Sequence, residues 1–141
     1  MVRSWGTRPR RAYGTGVAVT AGLTGKAKLT VTDEDTAPAM CCGDVDVLAT
    51  PRLVALCEEA CCTAVAGALP PPKTTVGVRV QLDHLAPIRV GTTVTAEATL
   101  ERVEGRRLVF TVTASDDAGL VAAGRLTRVA VETDAFLAKA R

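Results

Sequence analysis

Aromatic residues are nearly missing from this chain: Trp5, Tyr13, Phe110 and Phe136 are the only four among 141 residues. Base-stacking platforms and aromatic cages need several rings on one surface, so nucleic-acid binding by stacking is excluded. Histidine is scarcer still, with His84 alone, which excludes multi-histidine metal sites. The five cysteines, Cys41, Cys42, Cys57, Cys61 and Cys62, are odd in number and form no Cys-x-x-Cys pair. That pattern builds neither a disulfide framework nor a zinc site. Long apolar runs are lacking too. The stretch from Ala60 to Leu69 is interrupted by Thr63 and Gly67 and falls far short of the ~20 residues of a membrane span. The run Val17 to Leu23, broken by Thr20 and Gly22, is short for the core of a signal peptide. No phosphate-binding glycine loop, nucleophile elbow or zinc-protease helix motif occurs. These absences, with unpaired thiols that stay reduced in the cytosol, describe a cytoplasmic protein with no nucleic-acid, membrane or metal partner.

What is present is a core of Val, Ala and Leu: 48% of the residues are hydrophobic and 23% charged, the composition of one globular domain. The net charge of +2 is unevenly spread. Arg3, Arg8, Arg10 and Arg11 stand near the start without an acidic neighbour, which leaves a slightly acidic body unsuited to polyanions. Residues 1–22 therefore read as a basic tail and 23–141 as a single domain.

Polar and apolar residues alternate from Lys28 to Thr32, predicting a first strand, and an acidic loop follows from Asp33 to Asp46. Thr50 is suited to cap a helix whose first residue is Pro51. Leu53, Val54, Leu56, Cys57, Ala60, Cys61, Ala64 and Val65 then share one broad helical face, and Pro70-Pro71-Pro72 ends the element. A helix this apolar is built for burial, with Cys57 and Cys61 as small core residues. Beyond the prolines the period becomes two. Val76, Val78, Val80, Leu82 and His84 are predicted to share one strand face, followed by strands at Val94–Leu100, Leu108–Ala114 and Leu120–Val131 joined by short turns. The class is α+β, with one helix on an antiparallel sheet of about five strands.

Chemistry narrows to few residues. His84 continues the apolar row of its strand, which directs it towards the helix, where it is either a core histidine bonded to a carbonyl or a catalytic one. Glu58 lies on the shoulder of the helix's apolar face, while Glu59 turns outward as the solvated charge. A carboxylate near a buried face is paired or used, and an ion pair with an arginine would account for Glu58 as well as catalysis would. Thr50 is fully explained by capping. A cysteine nucleophile approached by His84 is the remaining alternative.

The segment Val47-Leu48-Ala49-Thr50-Pro51 with Leu56 and Glu58, then Val76-Gly77, His84-Leu85-Ala86-Pro87, Val103-Glu104-Gly105-Arg106-Arg107-Leu108, Gly124 and Arg128, resembles the fluoroacetyl-CoA thioesterase-like family. The resemblance runs from about Leu23 to Phe136. It implies a hotdog fold, one long central helix wrapped by a curved antiparallel sheet, and hydrolysis of a short-chain or small acyl-CoA thioester by a homodimer or higher oligomer without metal or cofactor. It maps the catalytic residues onto Thr50, Glu58 and His84, with Glu58 as nucleophile or as base on a water, and the active-site glycine onto Gly77. It makes Arg128 a candidate for holding the CoA phosphates. Arg52, beside a helix N-terminus that favours anions, is the second candidate. The family's fluoroacetyl-specific member carries a phenylalanine lid that Thr36 to Asp46 does not provide, and Leu126 stands where a histidine is common. Two rival readings on the same fold are an acyl-CoA dehydratase or hydratase and a non-catalytic acyl-CoA or small-ligand binder. In a straight helix Thr50 and Glu58 lie about 12 Å apart along the axis and cannot touch within it, so either the helix begins later and Thr50 folds back, or the site is completed across a dimer interface.

Overall fold

A computed structural model describes residues 18–141; the four arginines of the expected basic tail lie outside the described residues. Five strands and two α-helices, with a single 3-10 turn at Asp33–Asp35 after the first strand, follow in the order β1 (Thr24–Thr30), α1 (Thr50–Val65), β2 (Lys73–His84), β3 (Thr93–Glu104), β4 (Arg107–Asp116), β5 (Gly119–Glu132) and α2 (Thr133–Leu137). All strand pairs are antiparallel and the sheet order is β1-β3-β4-β5-β2. The α+β expectation holds, and α1 carries the chain between β1 and β2, which form the two edges of the sheet. Among the described residues, no helix is long and apolar enough to cross a membrane.

The helical period places Leu53, Leu56, Cys57, Ala60, Cys61, Ala64 and Val65 in the core, as expected, against Val94, Ala96, Ala98 and Leu100 of β3 and Leu108, Phe110 and Val112 of β4. Leu53 and Leu56 are completely buried. Burial of one such side chain stabilises the fold by about 1.5–3 kcal/mol, so the helix is held by its face rather than by its propensity. The first strand starts earlier than the alternation suggested, at Thr24 instead of Lys28. Gly25 within it is a close-approach residue, since a Cβ there would overlap the backbone of α1 at Ala60 and Ala64. Val19 and Leu23 also pack against the core, so the packed structure begins inside the stretch assigned to the tail.

The main departure lies in β2. Its register with β5 shifts between Gly77 and Arg79, so Val78 is an extra residue, a β-bulge. In an unbroken strand Gly77 and His84, seven positions apart, would face opposite sides. The bulge turns both towards the helix and leaves Val78 51% exposed, so the expected single row from Val76 to His84 is interrupted at that point.

Burial also fixes the thiol chemistry. Cys57 and Cys61 are free and buried. Desolvation, reinforced by the nearby Glu58 charge, pushes the Cys57 thiol up to about 11, and burial raises Cys61 further. Both are therefore protonated at neutral pH and poor nucleophiles. Alkylation of the native protein at pH 8, read by mass spectrometry, should modify the exposed Cys41 and Cys42 and leave Cys57 and Cys61 untouched until the chain is unfolded. Rapid native labelling of Cys57 would restore the cysteine nucleophile.

Candidate active site

Helix α1 starts one residue before the expected position. Ala49 is the N-cap, without a side-chain cap bond, and Thr50 is already helical. The capping role assigned to Thr50 is thereby corrected. Its hydroxyl, released from capping, lies 2.8 Å from Nδ1 of His84 at the end of β2. The other ring nitrogen, Nε2, is buried and has no hydrogen-bond partner among the described residues. A buried polar atom left in that state costs about 1–3 kcal/mol. The pair borders a cavity of about 300 Å³ whose wall includes Ala37, Cys42 and Leu48 from the long loop, together with Pro51, Leu85 and Pro87.

That loop is anchored by a buried ion pair. The carboxylate of Asp35 receives Nε of Arg52 at 3.1 Å and the backbone N–H and hydroxyl of Thr32 at 2.8 and 3.0 Å. Its carbonyl accepts the N–H of Ala49 at 2.8 Å. Arg52 is 7% exposed, so the expectation that it holds CoA phosphates is corrected: it ties the loop to the start of α1. The acidic run Asp33-Glu34-Asp35 gave no sign of this pairing across seventeen residues.

Glu58 occupies a second constellation, two turns further along α1. Its Oε1 receives Nη1 of Arg128 at 3.1 Å. The same guanidinium donates through Nε to the Thr75 hydroxyl and through Nη2 to the Thr75 carbonyl, both at 3.0 Å. Gly77 lies beneath the carboxylate. A Cβ at that position would collide with Oε1 of Glu58 and come within 3.3 Å of Nη1 of Arg128, so only glycine lets the carboxylate settle onto β2. The ion pair foreseen as one account of Glu58 therefore exists, with Arg128 as its partner. Arg128 is 8% exposed, with its guanidinium held by Thr75 and Glu58. Glu59 is half-buried, so its reading as a purely solvated charge does not hold. Thr75 was not foreseen; its only signal was a place two residues before Gly77.

The described chain thus brings together Thr50 with His84, and Glu58 with Gly77, Thr75 and Arg128, but not the two groups with each other. Thr50 and Glu58 are about 12 Å apart along α1, and Gly77 and His84 lie roughly 20 Å apart along β2 at strand rise. These spacings set Glu58 apart from the Thr50–His84 pair within one chain.

A five-stranded antiparallel sheet with one long helix between its edge strands is the hotdog architecture, and here it carries a carboxylate and a His–Thr pair on the helix-facing side. The family model described as fluoroacetyl-CoA-specific thioesterase matches residues 31–134. The fluoroacetyl-CoA thioesterase of Streptantibioticus cattleyicolor is 38% identical over 96 residues, which cover 68% of this chain and 69% of that one. A solved structure of the fluoroacetyl-CoA thioesterase FlK superposes with a TM-score of 0.82 at 29% identity, covering 87% of this chain and 96% of that one. A hot-dog-like protein from Thermanaerovibrio acidaminovorans gives 0.77 at 29% identity, covering 84% and 88%. The chain belongs to the fluoroacetyl-CoA-specific thioesterase family.

Proposed function

We propose that the protein is a homodimeric, cytoplasmic hydrolase of small acyl-CoA thioesters, with each active site built from Thr50 and His84 of one protomer and Glu58 of the partner subunit. The observation that carries this reading is the separation of two incomplete constellations on one helix-facing strand side. β2 is an edge strand of twelve residues whose outer backbone edge has no neighbour among the described residues, and Val78 and Val80 on it are 51% and 42% exposed. An edge of this length with apolar side chains favours pairing with a second copy. Antiparallel pairing of β2 with β2 about a two-fold axis near Val80 and Gln81 sets Gly77 of one chain opposite His84 of the other. Glu58, seated on Gly77, then stands across from the Thr50–His84 pair.

The chemistry follows from these groups. A Thr50 hydroxyl donating to Nδ1 fixes the His84 tautomer with the proton on Nε2, which becomes a donor to the thioester oxygen. Backbone N–H groups at the start of α1 add positive potential where the oxyanion develops. The Glu58 carboxylate takes a proton from water as the water oxygen bonds to the carbonyl carbon. The carbon–sulfur bond then breaks, the electron pair leaving with the CoA thiolate, which a proton from Glu58 or solvent neutralises. No metal or cofactor enters these steps. The cavity of about 300 Å³ at the Thr50–His84 pair and a second of about 230 Å³ beside Thr75, with walls from Cys62, Val65 and Leu69, favour a small acyl group over a long chain.

Thiol release from acetyl-, butyryl- and palmitoyl-CoA tests the reading. The short thioesters should be hydrolysed and palmitoyl-CoA should be at least about tenfold poorer in kcat/KM, as expected when a pocket cannot enclose the chain. Hydration of an enoyl-CoA without thiol release would favour the dehydratase reading, and binding without turnover the non-catalytic one.

A further inference from the structure

We infer that Thr75 and Arg128 form a clamp that positions the Glu58 carboxylate and leaves Oε2 as its reacting oxygen, a statement that rests on Glu58 being the acting carboxylate. All three guanidinium nitrogens of Arg128 are used. Nε and Nη2 grip the hydroxyl and carbonyl of Thr75, and Nη1 holds Oε1 of Glu58. The first two bonds fix the fork to β2, so the third presents a rigid donor instead of a flexible cation. Arg128 is placed by its register opposite Gly77, and the missing side chain of Gly77 opens the space that Oε1 fills. Glu58 is thus bounded by strand backbone on one side and by the guanidinium on another.

The arrangement distinguishes the two carboxylate oxygens. Oε1 is bonded to Arg128, whereas Oε2 makes no hydrogen bond among the described residues and the Glu58 side chain remains 34% exposed. Oε2 is the oxygen that water or substrate can reach. A partly exposed glutamate otherwise samples several rotamers, and holding it in one removes that disorder before the substrate arrives. The Arg128 side chain itself is only 9% exposed, and three of its five N–H donors are already committed to Thr75 and Glu58, which leaves little of it for a CoA phosphate. Arg128 is therefore a positioning residue rather than an anion ligand.

The two roles predict opposite kinetics. With acetyl-CoA as the probe and full-length dimer at matched melting temperature, Arg128→Met should lower kcat about 100-fold and leave KM within about twofold, because a displaced catalytic group costs rate rather than binding. Arg128→Lys should recover only part of the loss, since an ammonium cannot bond Thr75 twice and Glu58 at once. Thr75→Val keeps the charge and removes one anchor, and should lower kcat about three- to tenfold with KM unchanged. This variant, nearly isosteric, preserves the test if Arg128→Met does not fold. A rise of tenfold or more in KM at unchanged kcat for Arg128→Lys or Arg128→Met would overturn the clamp in favour of a phosphate anchor. Unchanged kcat in Thr75→Val would overturn the part given to Thr75. Glu58→Gln, measured alongside, separates the two levels: if it retains turnover, the reading of Glu58 itself falls, whereas if it is inactive while Arg128→Lys and Thr75→Val keep wild-type kcat, only the clamp falls.

Discussion

Glu58→Gln should reduce acyl-CoA turnover by about 10²–10⁴-fold, the range expected when a general base or nucleophile is removed. The amide keeps the shape of the side chain and one acceptor for Arg128, so the fold should survive and the melting temperature should stay near that of the native protein. His84→Ala should fall in the same range, since it removes both the buried Nε2 and the ring whose Nδ1 is hydrogen-bonded to Thr50. Glu59→Gln is the internal control. It is one residue, or about 100°, further round α1 and does not rest on Gly77, so its turnover should remain within about twofold of native. An inactive Glu59→Gln beside an active Glu58→Gln would show that the carboxylate has been misassigned.

Gly77→Ala should have the next largest effect from the smallest chemical change. The added methyl collides with Oε1 of Glu58 and approaches Arg128 Nη1 to 3.3 Å, so the carboxylate must leave its seat. Glu58 is the far end of a flexible side chain and can swing outward, which makes the cost to folding small. The cost to catalysis is large, because a displacement of about 1 Å at the reacting group reduces rate by up to 10²-fold. Steady-state kinetics of a folded Gly77→Ala protein should therefore show a fall in kcat of that order with little change in KM. Native kcat in this variant would mean that Glu58 need not occupy the position seen beside Gly77.

Much of this site was legible before any coordinates. The helical period singled out Glu58 from Glu59, and the prolines and the strand alternation placed His84 on the inner side. Other elements were hidden for identifiable reasons. The bulge at Val78 sits within a run of valines that satisfies period two on its own, so only pairing with β5 reveals the change of side. Thr50 before Pro51 has the chemistry of a cap, and a shift of one residue at the helix start decided that its hydroxyl serves His84 instead. Arg52 and Arg128 carry the same charge in sequence, yet Asp35 claims one and Glu58 with Thr75 the other through contacts across 17 and 53 or more positions. Long-range pairing of this kind leaves no local pattern to read.

The central claim, that one active site draws on two protomers, is tested most directly by mixing two inactive proteins. Glu58→Gln and His84→Ala chains, unfolded together and refolded at equal concentration, should form hybrid dimers alongside the two parent dimers. In each hybrid one site receives intact Glu58 from one chain and intact Thr50 and His84 from the other, and the second site receives neither. Random pairing of equal chains about a two-fold axis makes half the dimers hybrids, so activity should recover to about a quarter of native. Recovery near that level, absent when either variant is refolded alone, is the predicted result; a mixture as inactive as its parents, in the presence of hybrid dimers shown by native mass spectrometry, would contradict the shared site.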